Sequence, residues 1–307
     1  MVEVRERGSV APGDVAIVEA LAAAATAADG HPPFGDAVWR DLADPSDRSR
    51  LLIAYDAEMP IAALHLAVDA RSSKRRVLTS LVVLPAWRDS AVAGALVDAG
   101  VDYVATTGGG ELELWLFGGN ETSDSFAASA GFTVARELWQ MRVALPLGEP
   151  VRWPAGVNVR TFEPDRDEVA WVAVNNRAFA ADPDQSGWTV ETLRQREAEP
   201  WFDPSGFLLA VAGAGLAGFC WTKLHPAEPP AEPACLGEIY VIGVDPDRHG
   251  MGLGRALVVA GLESLHERGA TIGMLFVDSG NTAAVALYRK LGFETTRVDR
   301  AYVRVVS

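Results

Sequence analysis

Hydrophobic and polar positions alternate with two periods in the second half of the chain, and these periods predict its elements. Stretches rich in β-branched and aromatic residues predict strands at 157–162, 206–213, 215–225, 236–244 and 271–279. Apolar residues at three- and four-residue spacing predict helices at 166–179, 252–269 and 281–292. Asn281 is expected to cap the last helix, and the residues after it are expected to form a closing hairpin.

The first half repeats the second at an offset of 161 residues. Landmarks coincide in four pairs, which are Pro85 with Pro246, Ala95-Leu96 with Ala256-Leu257, Asn120 with Asn281, and Gly131-Phe132 with Gly292-Phe293. A gap-free match of this length predicts a tandem duplication. Each half then has an α/β (α+β) fold with a mixed sheet. The expected domains are 1–146 and 157–307, joined by a linker at 147–156 that contains Pro and Gly.

Composition and charge exclude several functions. The 307 residues carry a formal net charge of −14, which argues against a nucleic-acid partner. Neither a signal peptide nor a membrane span is expected, so a cytoplasmic location is predicted. Cys220 and Cys235 are the only cysteines and have no metal-ligand spacing, so no metal is expected. Two fused domains also favour a monomer over a dimer.

Three glycines at alternate positions separate the strand at 236–244 from the next helix. Gly250, Gly252 and Gly254 precede or begin a helix expected to start near Leu253. A helix N-terminus presents unpaired N–H groups to an anion, and glycines let the backbone approach it closely. A pyrophosphate would suit this loop. A tight strand-to-helix turn with no ligand remains an alternative.

The motifs IGVDPDRHGMGLGRAL and NTAAVALYRKLGF resemble the Gcn5-related N-acetyltransferase (GNAT) family over the second half. That family's phosphate loop, [Gln/Arg]-x-x-Gly-x-[Gly/Ala], falls on His249, Gly252 and Gly254, with histidine as a departure at the first position. The resemblance implies an acetyl-CoA-dependent N-acetyltransferase. The implied acetyl-CoA contacts are Ile242, Gly243, Val244, His249, Gly250, Met251, Gly252, Leu253, Gly254, Arg255, Asn281, Thr282, Ala283, Ala284, Val285 and Ala286.

Further segments resemble the actinobacterial tandem-domain members of that family, which acetylate the cysteinyl amine of Cys-GlcN-inositol. In the second half these segments are NNRAFAADPDQSGWT, EAEPWFDPSGFLLA, FCWTKLHP and LGEIYVIGVDP, and in the first half DGHPPFGDAVWRDL and ELWQMR. The implied small-molecule substrates are acetyl-CoA and Cys-GlcN-inositol. Two alternatives stay open: another amine, such as an aminoglycoside or a peptide N-terminus, and a non-catalytic acyl-CoA-binding sensor.

Direct acetyl transfer needs a general base, a general acid and an oxyanion donor. The resemblance makes Glu238 the base, acting through water, and Tyr288 the acid for the CoA thiolate. Alternation along the strand predicts that residues 238, 240 and 242 share a face. The backbone of 242–244 is implied to pair with the pantetheine arm, which requires a splayed strand. A surface carboxylate and a core tyrosine are the competing interpretations.

The repeat provides an internal comparison for these assignments. At the same offset, Glu238 and Tyr288 correspond to Val77 and Ala127, and His249, Gly252 and Gly254 to Arg88, Ala91 and Ala93. The first half is therefore expected to be catalytically silent. Any acetyl-CoA site retained there, along the backbone of Leu81, Val82 and Val83, is expected to be impaired.

Acceptor recognition depends on the resemblance alone. It implies substrate contacts from Asp36, Asp184, Lys223 and Glu238, and from Phe276, where the family usually has tyrosine. Carboxylates suit the hydroxyls and the amine of a polar acceptor. For Asp36 and Asp184, the alternative is a solvated loop charge or a helix-capping aspartate.

Overall fold

The computed structural model describes residues 2–8, 10–44, 48–69, 74–180, 182, 185–213, 215–227 and 234–307. The chain forms two compact units. Unit 1 contains residues 1–139, 278–280 and 297–307, and unit 2 contains residues 140–277 and 281–296. The expected division into 1–146 and 157–307 follows the sequence repeat and stays a prediction.

The chain from residue 2 to residue 144 contains helices and strands in the order of a mixed α/β fold. They are β1 (Val2–Arg7), α1 (Pro12–Asp29), α2 (Asp36–Ala43), β2 (Ser49–Asp56), β3 (Met59–Val68), β4 (Arg76–Val83), α3 (Val92–Thr106), β5 (Gly110–Leu116), α4 (Glu121–Ser129) and β6 (Thr133–Ala144).

The rest of the chain follows a similar order. Its elements are β7 (Val157–Thr161), α5 (Glu168–Ala178), α6 (Val190–Glu197), β8 (Phe207–Ala212), β9 (Gly215–His225), β10 (Leu236–Val244), α7 (Leu253–Glu267), β11 (Ile272–Asp278), α8 (Thr282–Lys290) and β12 (Glu294–Val306).

Each unit has a mixed sheet. In unit 1 the strand order is β1-β2-β3-β4-β5 followed by residues 297–306 of β12, and in unit 2 it is residues 140–144 of β6 followed by β11-β10-β9-β8-β7. The pairs β4–β5 and β10–β11 are parallel, because a helix connects the two strands of each pair. The antiparallel strands β2, β3 and β4, and β8, β9 and β10, are each joined directly in sequence. The predicted mixed α/β fold is confirmed.

The duplication is visible in the helix boundaries. Helices α3 and α7 both contain 15 residues and begin at Val92 and Leu253. Helices α4 and α8 both contain nine residues and begin at Glu121 and Thr282, after the caps Asn120 and Asn281. All three pairs of positions keep the offset of the sequence repeat.

Aromatic and aliphatic side chains pack on both faces of the sheets. In unit 1, Leu64, Leu66 and Leu96 belong to one core cluster, beneath α3. In unit 2, Trp171 of α5 and Trp221 of β9 are fully buried in a second cluster. Their rings make an edge contact with centroids 6.0 Å apart. The unit 2 cluster fixes α5 against β9 and β10, the strands that carry the candidate site.

Two features differ from the sequence predictions. The expected closing hairpin is wrong, because β12 is one strand of 13 residues that contains neither Gly nor Pro to reverse it. Helix α6 was not predicted. It is capped by the Thr189 side chain, which accepts from Thr192 N. Leu193 is fully buried, whereas Glu197 at the last position of the helix is partly buried. Such a short polar helix has no clear apolar period.

Candidate active site

Strand β10 separates from β11 at the centre of unit 2. The parallel register begins at Leu236–Ile272 and ends at Ile239–Leu275. A bulge at Tyr240 shifts the pairing of β10 with β9 between Ile239 and Val241. The last part of β10 thus diverges from β11, which is the splay that an added extended chain needs.

The bulge overturns one expectation about the side chains of β10. Residues 238, 240 and 242 were expected to share a face, but Ile242 lies opposite Cys220. A Cβ on Gly261 of α7 would lie 2.5 Å from the Cys220 Sγ, so this is the α7 face. Glu238 lies opposite Lys223, on the other face. The expectation failed because the extra residue of a bulge reverses the alternation beyond it.

The glycine loop adopts a backbone that favours glycine. Gly250 and Gly252 have φ values of +78° and +80°, and a Cβ on either would meet no atom within 4 Å. Glycine is therefore required by conformation and not by lack of space. The first α7 bond runs from Ala256 N to Gly252 O, which leaves the earlier amides of the helix available to an anion.

A cleft of about 410 Å³ opens beside this loop. The end of β10, the loop, the start of α7 and the exposed side of α8 form its walls. The lining residues are Ile242, Gly243, Val244, Arg248, His249, Gly250, Gly252, Leu253, Gly254, Arg255, Val258, Ala283, Ala284, Leu287 and Tyr288. Most of the predicted acetyl-CoA contacts thus lie around one cavity. Met251, Asn281, Thr282, Val285 and Ala286 are outside its lining, and Asn281 caps α8 by accepting from Ala284 N at 3.1 Å.

Side chains hold both ends of the loop. The His249 Nε2 donates to Val244 O at 3.1 Å, which ties the loop back to β10. Asp245 accepts from Asp247 N and forms an ion pair of 2.5 Å with Arg177 of α5. The Arg177 guanidinium, which hydrogen-bonds to Asp245, holds the pKa of that carboxyl below its usual range. These contacts fix the turn at which β10 enters the loop.

Tyr288 is the buried side chain of α8 that reaches the cleft. It is 7% exposed, and its ring lies 5.7 Å from that of Phe293, between centroids. Burial, and secondarily the thiol of Cys220, raise the pKa of Tyr288. The phenol is therefore neutral and carries its proton at physiological pH.

Glu238 is buried and hydrogen-bonded to a histidine that sequence reasoning left without a role. It is 8% exposed, and its Oε2 accepts from His225 Nε2 at 2.6 Å. His225 ends β9 opposite Leu236, so Glu238 is its diagonal neighbour on the adjacent strand. The residue pattern indicated both strands, but their register, which creates this pair, could not be read from the sequence.

Aromatic rings flank the same face of β9 and β10. The Lys223 Nζ lies 4.7 Å from the centroid of the Trp201 ring and 5.9 Å from that of Tyr240. The Trp201 and Tyr240 rings are 4.8 Å apart in an edge contact. This arrangement places a cation and two half-buried aromatic rings beside Glu238.

The remaining predicted acceptor contacts lie on different elements of the chain. Asp36 lies in the first turn of α2 in unit 1. Phe276 lies on β11 in unit 2, one residue beyond the end of the register with β10. Asp184 lies outside the described residues.

The equivalent loop of unit 1 has another conformation. Ala91 precedes α3 with φ at −74°, in place of the left-handed Gly252. Arg88 forms a bidentate ion pair with Asp29, at 2.6 and 2.7 Å. The parallel pairing of β4 with β5 continues to Ser80, so the backbone of 81–83 lies beyond the register. Among the described residues, unit 1 thus has an unpaired strand end on the β5 side at residues 81–83, but its loop lacks the left-handed backbone that Gly252 has in unit 2.

Among the described residues, no group of three or more His, Cys, Asp or Glu side chains is arranged to hold a metal ion. Within the same residues, no helix has the length and hydropathy that crossing a membrane requires.

Comparison with protein families matches both halves of the chain to the acetyltransferase (GNAT) family, over residues 15–132 and 170–293. A mycothiol acetyltransferase from Thermobispora bispora is 45% identical over 307 residues, which cover 99% of each chain. Another, from Paenarthrobacter aurescens, is 42% identical and covers 93% of this chain and 90% of its own.

Solved structures match the fold over nearly the whole chain. A tandem GNAT protein from the clavulanic acid biosynthesis pathway has a TM-score of 0.76 at 18% identity, covering 100% of this chain and 99% of its own. A GCN5-related N-acetyltransferase from Sphaerobacter thermophilus has a TM-score of 0.75 at 22% identity, covering 99% and 96%. At these identities the likeness concerns the fold alone.

Proposed function

The chain belongs to the GNAT family and is an acetyl-CoA-dependent N-acetyltransferase of the mycothiol synthase type, and from this premise we propose its acceptor and its mechanism. The proposed reaction transfers the acetyl group of acetyl-CoA to the cysteinyl amine of Cys-GlcN-inositol, giving mycothiol and CoA. The observation that carries this proposal is the 45% identity to a mycothiol acetyltransferase across both repeats.

The cleft of unit 2 is the proposed acetyl-CoA site. Gly250 and Gly252 have the left-handed backbone that lets the loop amides approach a pyrophosphate, and the helix dipole of α7 favours the same charge. The divergence of β10 from β11 supports pairing of the pantetheine arm with the backbone of 242–244. One N–H of this segment would polarise the thioester carbonyl.

Glu238 and Tyr288 are the proposed proton-transfer groups. Glu238 removes a proton from the ammonium through a water molecule, so that the amine can attack the thioester carbonyl. The raised pKa of Tyr288 keeps its phenol protonated, which suits a donor to the departing CoA sulfur. Burial of both side chains, at 8% and 7% exposure, would limit competing transfer to water.

The acceptor is proposed to lie along the face that carries Glu238. Lys223, Trp201 and Tyr240 border this face and offer a cation and aromatic surfaces to a polar pseudo-disaccharide. Asp36, Asp184 and Phe276 remain proposed contacts by family resemblance. Phe276 offers no hydroxyl, so recognition at this position would depend on its ring.

The test measures CoA release from acetyl-CoA in the presence of Cys-GlcN-inositol, with mass spectrometry of the acetylated product. Saturable turnover with N-acetylation of the cysteinyl amine would support the proposal. If the chain binds acetyl-CoA and acetylates an aminoglycoside or a peptide amine in preference, the assigned acceptor is wrong. Binding without turnover on any amine would favour the sensor alternative.

A further inference from the structure

The hydrogen bond between Glu238 and His225 connects a buried carboxylate to a more exposed ring. The Glu238 side chain is 10% exposed and the His225 side chain 32% exposed, with 2.6 Å between Oε2 and Nε2. Because an ionised carboxylate only accepts hydrogen bonds, the His225 Nε2 carries the hydrogen. The other ring nitrogen, Nδ1, is then left to accept or release a proton.

Acetylation of an amine requires an outlet for one proton per turnover. The balanced reaction is R–NH₃⁺ + CH₃CO–S–CoA → R–NH–COCH₃ + HS–CoA + H⁺. The N–C bond forms while the C–S bond breaks, and the ammonium loses two protons. One of them ends on the CoA sulfur, and the other must leave the protein. In the proposed mechanism this second proton is on Glu238, which is nearly closed to solvent.

We infer that His225 is the positioning and proton-relay residue of Glu238, holding its carboxylate in place and passing the released proton from that carboxylate to solvent. This inference rests on the proposed function. An imidazole suits the relay because it accepts a proton at one nitrogen while it donates from the other. Because the resting ring carries its hydrogen on Nε2, it first exchanges through solvent to the Nδ1–H tautomer once Glu238 has taken up the proton. Protonated Glu238 then donates its proton to Nε2, the Nδ1 proton leaves to solvent, and an ionised carboxylate again lies beside an Nε2–H ring.

The surroundings of the pair are consistent with this role. The other titratable side chains that β9 and β10 place on this face are Lys223, opposite Glu238, and Tyr240. Of these side chains, only the imidazole of His225 has two nitrogens in one ring, one to accept a proton and one to release it. In unit 1 the counterpart of Glu238 is Val77, which is fully buried, so the fold itself does not require the hydrogen bond between a carboxylate and a histidine at this position.

The test compares His225→Ala and His225→Gln with the wild type in steady-state acetylation, with and without added imidazole. The relay predicts that kcat falls roughly 10- to 100-fold in both variants, as when the partner of a functional side chain is removed. The KM for acetyl-CoA should stay unchanged. Added imidazole should restore much of kcat in His225→Ala, because the small side chain leaves room for the free base.

His266→Gln is the matched control, since His266 lies on α7 and bonds through Nδ1 to Ala270 O at 3.2 Å. It should keep wild-type kcat and show no response to imidazole. Unchanged kcat in the His225 variants would overturn the relay. A loss of kcat that imidazole does not restore, together with a lower melting temperature, would assign His225 a structural role instead.

The experiment distinguishes a wrong acceptor assignment from a wrong relay assignment. If the wild type leaves Cys-GlcN-inositol unmodified, that assignment is wrong, and the relay is judged from the variant-to-wild-type ratio with any cysteine amide that the wild type acetylates. If Glu238→Gln retains wild-type kcat, the proposed base is wrong and the relay is overturned with it.

Discussion

Replacing Gly252 with alanine separates the conformational role of the loop from its space requirement. Gly252 has φ at +80° with nothing within 4 Å of an added Cβ, so Gly252→Ala introduces no clash. In the free protein the loop has room to relax, and the counterpart Ala91 shows the relaxed form at φ −74°. The left-handed backbone would then have to be restored when acetyl-CoA binds.

The size of the effect follows from that conformational cost. A left-handed backbone costs a non-glycine L-residue about 1–2 kcal/mol. Since about 1.4 kcal/mol corresponds to a tenfold change in Kd, acetyl-CoA should bind roughly 5- to 30-fold more weakly to Gly252→Ala. The unfolding temperature should change little, because the free loop avoids the strain.

The matched control is Gly269→Ala, at the other end of α7. Gly269 has φ at +99°, also with no neighbour within 4 Å, but its N–H bonds to His266 O at 2.9 Å and holds the turn. This variant should lose a few degrees of Tm while it binds acetyl-CoA normally. Isothermal titration and thermal unfolding measure both effects. Equal Kd values in the two variants would refute the conformational role of Gly252.

Four other substitutions test separate parts of the molecule. Glu238→Gln and Tyr288→Phe should each lower kcat by roughly 10²- to 10⁴-fold with little change in acetyl-CoA affinity, because each removes a proposed proton-transfer group. Burial raises the pKa of Glu197 from an ordinary 4.5 to about 7, so the folded state favours its neutral form. The stability that neutral Glu197 contributes is fully present below pH 4.5 and is lost as the pH rises through 7. Over that range, the Tm of Glu197→Gln should therefore rise relative to the Tm of the wild type. Gly261→Ala should lower Tm at every pH, because its Cβ would lie 2.5 Å from the Cys220 Sγ.

A different result would contradict each of these predictions. Wild-type kcat in either proton-transfer variant would remove that side chain from the mechanism. A constant Tm difference between wild type and Glu197→Gln from pH 5 to 8 would contradict the raised pKa. Unchanged Tm in Gly261→Ala would mean that α7 has room to move away from β9; Gly94→Ala, where no atom lies within 4 Å of the Cβ, is its control.

Much of the fold could be predicted because its signals are local. Strand β9 was predicted at its observed bounds, and α7 and α8 begin where the loop glycines and Asn281 indicate. The repeat offset also identifies residues 88–93 of unit 1 as the counterpart of the glycine loop of unit 2. The sequence could not show that the backbone of Ala91 is right-handed, although the absence of glycine at that position favours a right-handed backbone.

The parts that could not be predicted depend on pairing between distant residues. The bulge at Tyr240 changes which side chains face α7, and no residue type in LGEIYVIGV marks it. The bond from His225 to Glu238 depends on the register of two strands joined by a long loop. Such cross-strand pairs depend on how two strands align in the folded sheet. The alternation of residues along a single strand does not specify that alignment.

The placement of β12 has a consequence for synthesis of the chain. Residues 300–306 pair with β5 in unit 1, although they lie far downstream of β5 in the sequence and follow the whole of the second repeat's α8. Until residues 300–306 have been synthesised, β5 lacks this neighbour and presents unpaired backbone groups. Unit 1 therefore cannot complete its folding before most of unit 2 has been made, and a deletion of residues 300–306 would damage the sheet that contains the first repeat.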